Sequence, residues 1–183
     1  MVMKSALFLA DGFETCEALL TLDLLRRANM LVDTVSISDS KTVSSSHEVK
    51  VEADKLMKDI SFEDYELLIL PGGKVGTENL MKCEKLGEAL QRHYIGGHFI
   101  AAICAAPSVL GELDILKGKN YTCYPGFEKE EYGTYQDAMV IRDGTVITGK
   151  GLGVTFEFAK EIISLFRSEE IAQEVIDTVY YQE

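Results

Sequence analysis

The 183-residue sequence has no Trp, only 3 Pro and no long hydrophobic run. Its longest apolar stretch, Phe99 to Ala106, is eight residues, far short of the roughly 20 that a membrane-spanning helix needs. A secretory leader is not expected either, because the short apolar run Ala6 to Ala10 is interrupted by Asp11-Gly12 before a cleavage site appears. Cysteine is sparse: Cys16, Cys83, Cys104 and Cys123 lie far apart, with no CxxC pair and no Cys/His zinc spacing. Neither a disulfide scaffold nor a metal site is expected from that pattern. Positive charge is the scarce sign. With 18 Lys+Arg against 30 Asp+Glu, the net charge is −12, a field that repels phosphate backbones and anionic membranes. These absences predict a cytoplasmic protein with free thiols and with no nucleic-acid or membrane partner.

What is present is enough for one ordinary domain over residues 1–183, with 46% hydrophobic and 26% charged residues. Strand and helix patterns alternate. Lys4–Ala10 is a short apolar strand followed by the turn Asp11-Gly12. A helix from about Thr15 to Ala28 carries Ala18, Leu22 and Leu25 at i, i+4 and i+7. Val32–Ile37 reads as a second strand, Ser38–Ser46 as a polar loop, and Val49–Ala53 as a short edge strand. Leu67–Leu70 stops abruptly at Pro71-Gly72-Gly73, and helical segments follow at about Thr77–Lys82 and Glu84–Tyr94. Phe99–Ile103 is apolar without alternation, the pattern of a central parallel strand covered on both faces. Met139–Ile141 and Val146–Thr148 flank Asp143-Gly144, a strong hairpin signal. Helices at about Val154–Phe166 and Glu169–Tyr180 close the chain. This order predicts an α/β fold, a doubly wound, mostly parallel sheet with an added hairpin.

In such sheets, sites form where strands end and helices begin, so three junctions matter: Asp11–Glu17, Pro71–Gly76 and Ile103–Pro107. Cys104 follows the apolar strand directly and precedes Ala105-Ala106-Pro107. A side chain at a strand-to-helix elbow projects from the sheet edge, and small neighbours permit the sharp turn. A helix from about Ala106 to Glu112 would aim its N-terminal amides at the sulfur and lower the thiol pKa. A buried structural cysteine at the end of a core strand is the alternative. Gly72 and Gly73 leave backbone N–H groups able to receive a developing oxyanion, or else form only a tight turn. Glu14 and Glu17 begin the first helix, where carboxylates ordinarily complement the dipole. A Glu beside a thiol can instead stay protonated and donate to the sulfur.

These segments, Leu9-Ala10-Asp11-Gly12 with Glu17, Leu70-Pro71-Gly72-Gly73 and Ala101 to Pro107, resemble the ThiJ/PfpI superfamily in its DJ-one (Parkinsonism-associated deglycase) branch. The segment Gly151 to Ala159 is similar as well, and the resemblance runs from Lys4 to about Val175. It implies a flavodoxin-like sandwich, a homodimer and no cofactor. It places the nucleophilic, oxidisable cysteine on Cys104, its acid partner on Glu17 rather than Glu14, and the amides facing the sulfur on Gly73 and Ala105. Tyr124, Gly72 and His47 complete the implied pocket, with His47 where relatives place an Arg near the dimer seam.

Two departures bear on mechanism. Relatives carry a His before a Pro near the pocket, where this chain has Tyr124-Pro125; and His47, His93 and His98 all precede Cys104. A phenol is a poor base at neutral pH beside an imidazole. Proton transfer then rests on Glu17, Cys104 or water, and turnover is expected to be slower than with His. A Cys–His protease or amidotransferase lacks its base here, since Ala105 follows Cys104 and no His lies downstream. Two functions remain. One is a glutathione-independent glyoxalase or deglycase acting on a small aldehyde such as methylglyoxal through Cys104 and Glu17. The other is a non-catalytic redox sensor or chaperone that works through oxidation of Cys104.

Overall fold

The computed structural model describes residues 3–182. Its main sheet is built from β1 (Lys4–Leu9), β2 (Leu31–Ser36), β5 (Lys55–Leu56), β6 (Leu67–Leu70), β7 (Phe99–Ile103), β10 (Val140–Asp143) and β11 (Val146–Gly149). The order is β10-β11-β7-β6-β1-β2-β5, and every pairing is parallel except β10 with β11. Apolar residues on both faces of β1, β6 and β7 require two covering layers. Alternate side chains enter separate cores. Phe8, Leu68, Leu70, Ile100 and Ala102 pack in the core that includes Leu80 of α2 (Lys74–Lys82), Leu86 and Leu90 of α3 (Glu84–Ile95) and Leu110 of α4 (Pro107–Glu112). Leu7, Leu9, Leu67, Ile69 and Ile103 pack with Leu24 and Leu25 of α1 (Thr15–Arg27), Phe158 and Ile162 of α5 (Thr155–Phe166) and Val175 of α6 (Glu169–Thr178). The expected α/β architecture with its added hairpin is present. Among the described residues, no helix is long and apolar enough to cross a membrane.

The departures are local. The Ser-rich segment expected as a loop contains β3 (Thr42–Ser44), which pairs antiparallel with β4 (Lys50–Glu52) as a separate hairpin. Its one deeply buried apolar side chain, Val43, joins the α1-side core, and a bridge from Ser45 to Phe13 ties it to the first junction. The edge strand of the main sheet is therefore β5, not the segment at 49–53. A small parallel pair, β8 (Asn120–Tyr121) with β9 (Thr134–Tyr135), frames the loop that carries Tyr124. The helix expected from Thr77 begins three residues earlier, directly after Gly73.

Candidate active site

The register of the central strands brings the three junctions to one edge. Leu7 is opposite Ile69, Ile69 opposite Ala101, and Leu70 opposite Ala102, so β1, β6 and β7 end side by side. Their turns interlock through backbone hydrogen bonds. The Glu14 N–H donates to the Gly72 carbonyl at 2.9 Å, and the Gly76 N–H to the Gly12 carbonyl at 3.1 Å. Glu14 also caps α1, its carboxylate accepting from the Glu17 N–H at 2.7 Å. That cap turns the Glu17 side chain into the site, where it is 1% exposed.

Two glycines are required here for different reasons. Gly73 has φ +87°, and a Cβ on it would lie 2.4 Å from the Gly12 carbonyl oxygen. A Cβ on Gly72 would lie 2.6 Å from both the Cys104 Cβ and the Glu17 Oε2, so the backbone alone fits between acid and thiol. The Gly72 N–H donates to Glu17 Oε2 at 2.9 Å. Cys104 itself has φ +65°, a left-handed conformation that is unfavourable for any residue with a Cβ. It is held there from both sides: its N–H donates to the Gly149 carbonyl of β11 at 2.9 Å, and its carbonyl accepts from the Tyr124 N–H at 2.8 Å.

Glu17 and the Cys104 sulfur share a hydrogen bond, and the N–H groups of Gly73 and Ala105 donate to the sulfur. Burial raises the Glu17 carboxyl to about 7, with the nearby Glu14 charge adding to the rise. Against it work the hydrogen bond with Cys104 and the N–H groups of Gly72 and Leu152. The thiol departs from the sequence expectation of a lowered pKa. Burial, then the Glu17 charge and hydrogen bond, push it up to about 12 against the pull of the two amides. The helix dipole cannot reverse this, because α4 starts only at Pro107 and is six residues long. Two acids sharing one hydrogen bond titrate as a pair. Ionised Glu17 therefore disfavours ionisation of Cys104, and both groups shift upward.

The structure thus brings Cys104, Glu17, Gly72, Gly73 and Ala105 together. Tyr124 borders them: its ring carbon lies 3.3 Å from the position a Cβ would take on Gly151, and the ring packs edge-on against Phe127 at 6.4 Å. His47 lies elsewhere, exposed on the β3–β4 turn, its Nδ1 3.1 Å from the Ser46 hydroxyl. Among the described residues no hydrogen bond joins it to Cys104 or Glu17. Reasoning from residue types alone missed the Leu152 N–H, a second amide on Glu17. Its only local sign is the glycine on either side, which leaves the backbone before α5 open. Cys16, at the second position of α1, is the exposed thiol, whereas Cys123 is fully buried and its pKa is pushed up to about 12 by burial.

Residues 3–165 match the DJ-1/PfpI family. The chain is 37% identical over 177 residues to protein DJ-1alpha of Drosophila melanogaster, covering 94% of this chain and 82% of that one. It is 34% identical over 173 residues, 91% of each chain, to a Caenorhabditis elegans protein named a glutathione-independent glyoxalase. The solved structure of Drosophila melanogaster DJ-1beta superposes with a TM-score of 0.94 at 31% identity, over 100% of both chains.

Proposed function

The chain belongs to the DJ-1/PfpI family, and from that premise we propose that it is a cysteine-dependent glyoxalase or deglycase that converts small α-oxoaldehydes to hydroxy acids. The observation that carries this reading is the hydrogen bond between the buried Glu17 carboxyl and the Cys104 sulfur at the end of β7, with the Gly73 and Ala105 N–H groups donating to the same sulfur. Cys104 adds to the aldehyde carbon: the S–C bond forms, and the carbonyl oxygen takes the proton and becomes the hydroxyl of a hemithioacetal. Glu17, now a carboxylate, removes the proton from that carbon and returns it to the neighbouring ketone carbon, while the hydroxyl proton passes to the ketone oxygen, leaving a thioester beside a carbinol. Water then releases the acid and restores the thiol, with no external oxidant or reductant. A positioned acid–base group contributes typically 10²–10⁴-fold to such a step, and Glu17 carries it without an imidazole. Residues 1–183 act as one domain and pair as a homodimer.

The test is lactate formation from methylglyoxal by wild type and by Cys104→Ser. Wild type is expected to exceed the variant by at least about 10²; equal rates would sink the enzyme reading. One observation favours a second reading. The Gly73 and Ala105 N–H groups already donate to the sulfur, so they are placed to hold the oxygens of a sulfinate formed from Cys104 by two equivalents of peroxide. Absent lactate together with selective two-oxygen addition at Cys104 would make the protein a redox sensor.

A further inference from the structure

Glycine backbone lies against Cys104, and the segments carrying Tyr124 and Leu152 hydrogen-bond to Cys104 and Glu17. Gly72 stands against the Cys104 Cβ and the Glu17 carboxyl, so no side-chain volume lies there. The Tyr124 ring rests over Gly151, and the next residue, Leu152, donates its N–H to Glu17. Tyr124 is 51% exposed and Leu152 50% exposed. Both are large and apolar, and both belong to segments that hydrogen-bond directly to the reacting pair. Phe127 fixes the Tyr124 ring from behind in a T-shaped contact with an interplanar angle of 73°. Phe127 is itself half-buried against the core on that face of the sheet. A ring held in this way offers an edge-to-face or offset surface to another aromatic group.

The charges nearby point the same way. Glu14 and Glu17 begin α1 beside the thiol, and Lys150, which precedes Gly151 in the chain, is paired with Asp137. With a net charge of −12 on the chain, a substrate arm bearing a carboxylate is repelled.

We propose that the exposed Tyr124 ring, backed by Phe127, together with Leu152 selects carbonyl compounds with an aryl or bulky apolar arm, so that the preferred substrates are aryl α-oxoaldehydes rather than methylglyoxal. For its chemistry this rests on the glyoxalase reading above. For phenylglyoxal the aldehyde carbon is oxidised to the carboxyl level, the ketone carbon is reduced to a carbinol, and one water is consumed, giving mandelate. The reacting carbonyl carbon sits against the Cys104 sulfur within reach of Glu17, and the phenyl group leaves the site along Tyr124.

Two measurements test this independently. The first compares kcat/KM for phenylglyoxal and methylglyoxal in wild type, Tyr124→Ala and Tyr124→Phe. One apolar contact in a pocket discriminates by roughly 10–200-fold. Wild type should therefore favour phenylglyoxal by about tenfold or more; Tyr124→Ala should abolish the preference and Tyr124→Phe should keep it. The second needs no turnover. It compares alkylation of Cys104 by 2-chloroacetophenone and by chloroacetone, each rate normalised to that of glutathione and located by peptide mass mapping so that exposed Cys16 is counted separately. In each case the sulfur displaces chloride, and the S–C bond replaces the C–Cl bond. The aryl reagent should win at Cys104 by a similar factor, and that advantage should vanish in Tyr124→Ala. Equal normalised rates for the two reagents, or a preference that survives Tyr124→Ala, overturn the proposal. Aryl selectivity in alkylation without turnover of either aldehyde supports the pocket and removes the glyoxalase reading instead.

Discussion

Glu17 is a carboxyl kept where water would ionise it but the fold resists, and the consequence is measurable in stability. Its native pKa is about 7 against an ordinary 4.5. Below 4.5 both native and unfolded chains hold the proton, and its contribution to stability is fully present. As pH rises through the interval to 7, the unfolded chain releases the proton first, and native stability falls. The full cost above pH 7 is on the order of 3 kcal/mol, at 1.36 kcal/mol per pKa unit. Glu17→Gln removes this titration, whatever the amide loses as a second acceptor for the Gly72 and Leu152 N–H groups. The Tm of Glu17→Gln relative to wild type should therefore be several degrees higher at pH 8 than at pH 5. If the difference between the two proteins is the same at both pH values, Glu17 is not a raised carboxyl. Legibility in the sequence divides along the same line. Cys104 and Glu17 carry chemistry in their side chains and stand at a readable strand end and helix start. The Leu152 N–H and the left-handed φ of Cys104 are backbone properties, set by which loops converge at the edge, and beyond the glycines beside Leu152 no residue type announces them.

At the scale of elements, the strands that read most clearly are those buried on both faces. The unbroken apolar run Phe99–Ile103 is β7 to the residue, whereas β3 stays hidden in a Ser-rich segment because docking on Phe13 and Thr15, not composition, makes it a strand. The opposite end of the sheet carries a different pH device. His93, on α3, is 6% exposed and stacks on His98 with ring centroids 4.8 Å apart. Its Nε2 donates to the Glu66 carbonyl at 3.3 Å, while His98 Nδ1 lies 3.1 Å from the Glu66 carboxylate. Burial, and then the His98 charge, lower the His93 pKa. Native His93 is therefore neutral where an unfolded imidazole, with pKa near 6.5, takes up a proton. Its contribution to stability is complete above that value and is lost as pH falls through it, the reverse of Glu17. His93→Gln keeps a donor for Glu66 and removes the titration. Between pH 7.5 and 5 the variant should lose less Tm than wild type; parallel losses would remove His93 as the acid-sensitive group.

For the whole molecule, the question is what covers the apolar surface that two cores leave over. The first helix reads in sequence as apolar on more than one face, and the fold accounts for part of that: Leu24 and Leu25 are buried, with α5 packed across α1. Leu19, Leu20 and Leu22 remain half-buried, and on the hairpin that docks beside the start of α1, Val49 is 45% exposed. A second copy placing its own α1 and hairpin against these residues would bury both sets at once, since a two-fold interface repeats each patch on its partner. It would also give His47, two residues before Val49 on the same turn, a route to the partner's site that it lacks within its own chain. Charge sets the condition for such pairing. Two chains of net charge −12 repel, so the apolar contact must exceed that repulsion, and added salt should strengthen the association by screening it. Light scattering at micromolar concentration and 0.15 M salt should give twice the 20.3 kDa of one chain. Val49→Asp, which places a charge in the patch that pairing would bury, should shift the mass toward a single chain, most strongly at low salt. A wild-type mass of one chain at every salt concentration would show that the leftover apolar surface of α1 and the hairpin faces water.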